Sequence, residues 1–344
     1  MLTVLNVAYP LAPVGPDAVG GAEQVLSAVE KAVAEAGHRS LVLACEGSST
    51  SGRLFAFPRP DGMLTPLRRR LIGMRYRAAM ARIIAAEGVD VVHTHGGDFY
   101  DYLPESQVPV LATLHLPSGS YPPGVFTQPK DCIYLNCVSR LQRGDCPDAV
   151  GNMLDEVPNG VDLTRFRPGV RGACALVLGR ICEEKGVHLA LDAARQANVP
   201  LRVAGQVFPY PEHLQYFRRE VLPRLDAERR FLGPVGMAEK PELIAASRCV
   251  VVPSTVPETS SLVALEALAC GTPVVAFRGG ALPDLIENGR TGFLVDSVEE
   301  MAVAIERASE LRGDACRAAA ERFPLEEMCG RYLRLYQRIT RLPS

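Results

Sequence analysis

The side chains that most invite a chemical reading are two cations, two carboxylates, a glycine pair and a few histidines. Arg180 and Lys185 follow an apolar run at 174–178 and flank the start of a helical one. Two cations there could hold a diphosphate and offset the charge that grows on it as a bond to it breaks. Taken alone, they read more readily as solvated surface charge. Glu258 falls in a loop, and Glu266 in the second turn of a helix beginning near Ser260. Carboxylates accept hydrogen bonds and the vicinal diols of sugars donate them. Without other context, Glu258 reads equally as a helix cap and Glu266 as an exposed helical residue. Gly20-Gly21 open the first long helix after the first strand, where a helix amino terminus collects anions. The pair lacks the three spaced glycines of the dinucleotide fingerprint, which disfavours a nicotinamide cofactor. His115 sits just after a strand at 109–114, and a neutral imidazole there could relay a proton.

The other candidates are weaker. His93 and His95, at i and i+2, share one face of a strand, a geometry that metals use, but no third ligand stands at matching spacing. His93 reads as a packed residue and His95 as one that faces an acceptor. Asp98, Tyr100, Asp101 and Tyr102 follow at a strand's carboxyl edge and are candidates for acceptor contact. Cys132, Cys137 and Cys146 do not match a zinc spacing. There is no Asp-x-Asp, the motif often used to seat a metal on a diphosphate. The expectation is therefore no metal and no cofactor.

The elements that must position these groups alternate between strand and helix. Strands are expected at 2–8, 40–45, 89–93, 109–114 and 134–139, with helices from Gly20-Gly21 to Ala36 and over 68–87. The segment 140–153 is ambiguous, and 157–169 holds turn formers without periodicity, so a domain boundary is placed near 168. A second unit repeats the pattern. Its strands are expected at 174–178, 200–204, 229–232, 249–252, 273–276 and 292–295. Its helices are expected at 185–197, 211–227 with Pro223 bending or ending the run, 239–246, 260–270, 281–287 and 297–311. A last amphipathic helix covers 326–341. Such alternation means parallel α/β sheets, whose ligands bind at the carboxyl ends of the strands. With 344 residues the chain has room for two domains. Hydrophobic residues at 47% give it a globular core, and a net charge of −2 argues against a nucleic-acid partner. The ten cysteines read as reduced thiols, many in apolar contexts. No leader pattern or membrane-length apolar run is seen, so a cytoplasmic location is expected. Arg68, Arg69, Arg70, Arg75, Arg77 and Arg82 form a basic helix that reads as a solvated face, with peripheral membrane contact left open.

Three segments carry a family resemblance: Val157-Pro158-Asn159-Gly160-Val161-Asp162 through Phe166 and Pro168; Gly179-Arg180-Ile181-Cys182-Glu183-Glu184-Lys185-Gly186; and Pro253-Ser254 through Glu258, Glu266, Ala267, Cys270, Gly271, Pro273, Gly279-Gly280, Gly289 and Thr291–Val295. In order and spacing they resemble the family-4 retaining glycosyltransferases, of GT-B fold with two facing Rossmann-like domains and a cleft between them. The resemblance spans nearly the whole chain. It implies an acceptor domain at 1–167, a nucleotide-sugar donor domain at 168–325, and a helix at 326–344 returning to the first domain. It implies that Arg180 and Lys185 hold the donor diphosphate and that Gly20 and Gly21 lie near phosphate and sugar. It implies that His115 and Glu258 contact the donor sugar, that Glu266 bonds the ribose, and that Ser260, Ser261 and Leu262 line the donor site. His95, Asp98 and Tyr100 are acceptor candidates. The chain departs from the family where Glu-Pro-Phe-Gly becomes Glu258-Thr259-Ser260-Ser261. Ser261 keeps an amide for phosphate contact, and the more polar lining points to an unusual donor sugar.

The implied reaction is metal-independent, front-face transfer from a nucleotide-diphosphate sugar to an acceptor hydroxyl, with an antibiotic or other small-molecule precursor among the acceptors considered. The base (uridine, guanosine or thymidine), the sugar, the acceptor and any homo-oligomer are left open. Rival readings are an epimerase or a phosphorylase on the same fold, the latter needing a pyridoxal lysine for which only Lys240 is placed, and a non-catalytic nucleotide-sugar binding protein.

Overall fold

A computed structural model describes residues 1–59, 65–127, 132–147 and 150–341. In chain order the regular elements are β1 Thr3–Val7, α1 Gly21–Glu35, β2 Arg39–Cys45, β3 Arg53–Phe57, α2 Pro66–Glu87, β4 Val91–Thr94, β5 Val110–Leu114, α3 Gly124–Thr127, β6 Ile133–Cys137 and α4 Arg140–Gly144. They continue with β7 Ala175–Leu178, α5 Val187–Gln196, β8 Leu201–Ala204, α6 Pro211–Tyr216, β9 Arg229–Gly233, α7 Lys240–Ala245, β10 Val250–Val252 and α8 Leu262–Ala269. The last are β11 Val274–Phe277, α9 Leu282–Leu285, β12 Gly292–Val295, α10 Val298–Arg307, α11 Gly313–Ala320 and α12 Leu325–Ile339. The chain forms two compact units, one of Met1–Pro158 with Met328–Ser344 and one of Asn159–Glu327.

Each unit is built on one six-stranded parallel sheet, ordered β3-β2-β1-β4-β5-β6 in the first and β12-β11-β10-β7-β8-β9 in the second. Read from β9, the second repeats the order of the first. It is the doubly wound arrangement, in which the strand order reverses between β1 and β4 and again between β7 and β10. The central strands are buried along their whole length, as β1 from Val4 to Val7 and β10 throughout, because helices cover both faces of a parallel sheet. Such strands read as continuous apolar runs, and these were expected from the sequence. Edge strand β3 lacks that pattern, unlike edge strands β6 and β12, which are buried throughout. β3 carries exposed Arg53 and Ala56 and was not anticipated. α11 was missed too: only Cys316, Ala319 and Ala320 of it are buried.

Local chemistry sets the helix ends. After α1, Gly37 takes φ +75°, its amide donates to Ala34 O at 3.0 Å, and the His38 amide donates to Val33 O at 3.1 Å, a left-handed stop that spares a Cβ. Thr65 caps α2 by accepting from the Arg68 amide at 3.3 Å, Pro66 fits the first turn, and Gly88 at φ +60° ends it. The run expected as one helix over 211–227 is α6 followed by a π-turn at Phe217–Val221 and a 3₁₀ turn at Leu222–Arg224. Pro223 has no amide to donate, so the α-helical ladder cannot run through it.

The first unit ends at Pro158, earlier than the boundary expected near 168. Backbone pairing explains the difference. The Val157 amide still donates to Cys137 O at 2.9 Å, whereas Val161 exchanges hydrogen bonds with Phe323 and Leu325 at 2.9 and 3.1 Å. Arg317 then fastens Leu163 O and Phe166 O at 3.1 and 2.7 Å. Of the ambiguous stretch 140–153, α4 is helical and Met153 bridges to Leu135, while residues 148 and 149 lie outside those described.

Candidate active site

In the second unit, the topology determines which loops meet. β7 and β10 are neighbours on either side of the reversal, so the turns after them open side by side at their carboxyl ends. The first turn carries Arg180 and Lys185, and the second carries Ser254 and Glu258. Two close backbone approaches lock them together. The Thr255 amide donates to Glu184 O at 2.9 Å, and Gly186, at φ +58°, passes so near Pro253 O that no Cβ would fit. The Lys185 ammonium donates to Glu258 Oε1 at 2.6 Å, and the Ser254 hydroxyl donates to the same oxygen. Arg180 lies 3.6 Å from Glu184. The side chains of Arg180 and Lys185 keep 37% and 29% exposure, so both cations are open to a ligand. Behind Glu258, its carbonyl accepts from the Ala281 amide at 2.7 Å, and Gly280, at φ +53°, packs against its backbone with no room for a side chain.

Glu266 is not an exposed helical residue. It lies in α8 at 4% exposure, with Oε1 accepting from Lys240 at 2.5 Å, while Oε2 is buried without a hydrogen-bond partner. Burial pushes its carboxyl upward, against the opposing pull of the Lys240 ammonium. Lys240 was not foreseen as part of this arrangement; as one of only four lysines it stood out, but nothing in its spacing pointed to Glu266. Its pairing with Glu266 also leaves no support for a pyridoxal-lysine reading. Ser261 is the extended residue before α8, buried and without a side-chain cap, Ser260 precedes it, and Leu262 opens the helix half-buried, so the helix start presents backbone amides. Glu258 makes no cap to α8; its carboxylate is held by Lys185 and Ser254.

The first unit follows the same rule. β1 and β4 flank its reversal, and the loops after them carry Gly20-Gly21 and His95 to Asp98. Gly20 is the extended residue before α1 and Gly21 its first helical residue. His93 is consumed structurally: Nδ1 shares a hydrogen bond with the Tyr336 hydroxyl at 2.6 Å, and Nε2 with Thr113 Oγ1 at 2.7 Å. Thr113 donates onward to Asn136 at 2.7 Å. His95 is different. Its Nδ1 lies 3.1 Å from His115 Nε2, and its own Nε2 is buried without a partner. Burial holds His95 well below 6.5 and pushes His115 down to about 4, so both imidazoles are neutral near pH 7 and each carries one donor and one acceptor. A hydrogen-bonded pair with one open nitrogen can hold a hydroxyl or pass a proton. Asp98 lies nearby in sequence with Oδ1 buried and unpartnered, its carboxyl pushed up to about 6 by burial. Tyr100 is half-buried at the same loop.

Among the cysteines, Cys137 and Cys146 meet at 3.7 Å between sulfurs, while the Cys132 thiol donates to Ser106 O. Among the described residues, the sequence reading overlooked one group, in which Cys182, Glu184 and His213 bring three donor atoms together. No helix among the described residues is long and apolar enough to cross a membrane.

Comparison with known proteins agrees with this architecture. Residues 19–165 match the family model described as Glycosyltransferase Family 4, and residues 173–310 that described as Glycosyl transferases group 1. D-inositol 3-phosphate glycosyltransferase of Rhodococcus erythropolis is 34% identical over 217 residues, 54% of this chain and 48% of that protein. The Mycobacterium bovis protein of the same name is 34% identical over 192 residues, 49% of this chain and 39% of its own. The matches thus take in about half or less of the length of these curated relatives. Three solved structures share the fold. Sucrose-phosphate synthase from Thermosynechococcus elongatus has a TM-score of 0.81 at 20% identity, over 98% of this chain and 99% of that one. AviGT4, a glycosyltransferase involved in avilamycin A biosynthesis, has 0.71 at 23%, over 99% and 98%. HepE of Anabaena, solved with UDP and glucose, has 0.75 at 18%, over 98% and 100%. With its two doubly wound sheets and two family models that between them take in most of its length, the chain belongs to the family-4 glycosyltransferases of GT-B fold.

Proposed function

We propose that this protein transfers a glycosyl group from a nucleoside-diphosphate sugar to an acceptor hydroxyl, with retention, by front-face substitution. The observation that carries the reading is the pair of acidic anchors in the second unit. Glu266 presents a buried oxygen with no partner, and Glu258 is fixed by Ser254 and by Lys185, whose turn also carries Arg180. A buried carboxylate oxygen without a donor is costly, and a ribose hydroxyl satisfies it. Glu258 then receives the hydroxyls of the donor sugar, while Arg180 and Lys185 meet the diphosphate and stabilise it as it leaves. Backbone amides at Ser260, Ser261 and Leu262 add donors to the same anion.

In the same proposal, Gly20 and Gly21 serve the phosphate and sugar through the amino terminus of α1. His115 positions the donor sugar, and His95, with its open nitrogen, receives the acceptor together with Asp98 and Tyr100. The acceptor hydroxyl attacks the anomeric carbon on the side from which the diphosphate departs. The bond to the phosphate oxygen breaks, and that oxygen takes the hydroxyl proton. No enzyme nucleophile is needed, and the residues act by positioning and charge. No step of this chemistry is assigned to a metal ion or cofactor. The polar Thr259-Ser260-Ser261 lining is where donor specificity departs from the family pattern.

The test is calorimetric titration of UDP, GDP and TDP into the wild type and Arg180→Ala. One diphosphate should bind, and Arg180→Ala should weaken it by roughly 10- to 100-fold, the worth of a charge-assisted hydrogen bond. Binding of none of the three would sink the transferase reading. Unchanged affinity in Arg180→Ala would remove Arg180 from the phosphate.

A further inference from the structure

The turn that carries Arg180 also holds a group of side chains that glycosyl transfer does not use. Cys182 is fully buried, and Glu184 and His213 are half-buried. One ligand atom from each (the thiol sulfur, a carboxylate oxygen and a ring nitrogen) lies within 4.8 Å of the other two. Cys182 and Glu184 belong to the turn after β7, and His213 to α6, which follows β8. β7 and β8 are paired neighbours, so the sheet itself brings the two segments together at its carboxyl edge. His213 is further fixed by the rings of Tyr210 and Phe208, at 5.2 and 6.4 Å between centroids. Its Nδ1 is buried and has no hydrogen-bond partner. A buried imidazole nitrogen left unbonded carries a desolvation cost that a ligand would relieve.

The donor set is selective. Sulfur, imidazole nitrogen and a single carboxylate suit a borderline cation of the zinc class, whereas magnesium and calcium want oxygen shells. We propose that Cys182, Glu184 and His213 form a site for one zinc-class divalent cation, with a fourth position left for water or an anionic oxygen. Bonds of roughly 2.0–2.3 Å set tetrahedral ligand atoms about 3.3–3.8 Å apart, a spacing compatible with three donor atoms that lie within 4.8 Å of one another. Ligation converts the Cys182 thiol to thiolate and releases its proton to solvent. The bound ion would tie α6 to the Arg180 turn and compete with Arg180 for Glu184. The site stands on its own side chains and does not depend on the donor assignment.

The experiment is a cobalt(II) titration of the reduced, chelator-treated chain, followed by zinc competition. The wild type should take one equivalent of cobalt with a thiolate-to-cobalt charge-transfer band, and zinc should displace it and raise the melting temperature. Cys182→Ser should abolish the band, His213→Gln should weaken binding at least 10-fold, and Cys146→Ser should leave it intact. Melting of each variant without metal establishes that it folds, and the partly exposed His213 gives a second route should Cys182→Ser fail to fold. No thiolate band in the wild type, or a band that survives both Cys182→Ser and His213→Gln, overturns the proposal. A band lost in Cys146→Ser alone would place the ion at the Cys137–Cys146 pair and overturn it equally.

Discussion

Replacing Lys240 by methionine removes one half of a buried ion pair. The side chains of Lys240 and Glu266 are 11% and 5% exposed, and the lysine ammonium donates to Glu266 Oε1 at 2.5 Å. Methionine keeps most of the stem volume, so packing changes little. What remains is a buried carboxylate with no compensating charge and both oxygens short of donors. Stranding one member of a buried pair costs about 3–5 kcal/mol. For a unit of this size each kcal/mol is worth roughly 2–4 °C, so the transition of the Asn159–Glu327 unit should fall by about 6–20 °C. The effect has a definite pH sign. Burial already raises Glu266 from its ordinary 4.5, and losing Lys240 removes the opposing pull. A carboxyl raised in the folded state binds more protons there than in the unfolded chain, so stability falls as pH rises from the unfolded value through the folded one. The deficit of Lys240→Met should therefore be largest at pH 8 and shrink towards pH 4.5. Scanning calorimetry at several pH values reads this directly. The double variant Lys240→Met/Glu266→Leu, with both charges gone, should recover most of the loss. A single variant that melts within about a degree of wild type at pH 8 would refute the buried pair. A double variant as unstable as the single would show that packing, and not stranded charge, was lost.

Other outcomes follow from the same geometry. Gly280→Ala and Gly289→Ala both place a side chain at positive φ, +53° and +77°, at a cost of about 1–2 kcal/mol. Only Gly280 has the Glu258 backbone against it, so urea midpoints should fall further for Gly280→Ala, and it alone should weaken nucleotide-sugar binding. Equal midpoints and equal affinities would contradict the close approach. Asp98, raised from 3.8 to about 6 by burial, subtracts stability as pH rises through that window, so Asp98→Asn should be the more stable protein at pH 8 by at most about 3 kcal/mol and should lose the advantage near pH 4. Urea unfolding at both pH values checks it, and an advantage that does not change with pH would assign the gain to some other cause. Because burial pushes His115 down to about 4, transfer activity of Asp98→Asn, which removes the carboxyl pushed up to about 6, should show no inflection between pH 6 and 8; a clear one there would mean that the imidazole pair is not buried in the working enzyme.

Much of this was legible in the chain. Parallel strands buried on both faces need continuous apolar runs, so β1, β2, β5, β7, β10, β11 and β12 could be read from such runs. Arg180, Lys185, Glu258, His95 and His115 follow such strand ends, where a doubly wound sheet binds its ligands, but taken alone they read as surface charge or satisfied polar groups; the family resemblance of the segments that hold them is what singled them out. Edge strand β3 and the thinly buried α11 escaped, since neither has an uninterrupted apolar signature. Pro223 announced a break, but the π-turn before it depends on how α6 packs.

What periodicity and strand ends convey is local, because it follows from which face of each element must leave water. Partnership is not local. That Glu266 is buried and answered by Lys240, that His93 is taken up by Tyr336 while His95 keeps an open nitrogen, and that Cys182 meets His213 all depend on segments far apart in the chain. Strand order brings those segments together, and no spacing along the sequence encodes strand order. The chain's own pattern therefore marks the residues at the mouths of the two sheets. Tertiary packing selects which of them are spent on one another and which remain for a ligand.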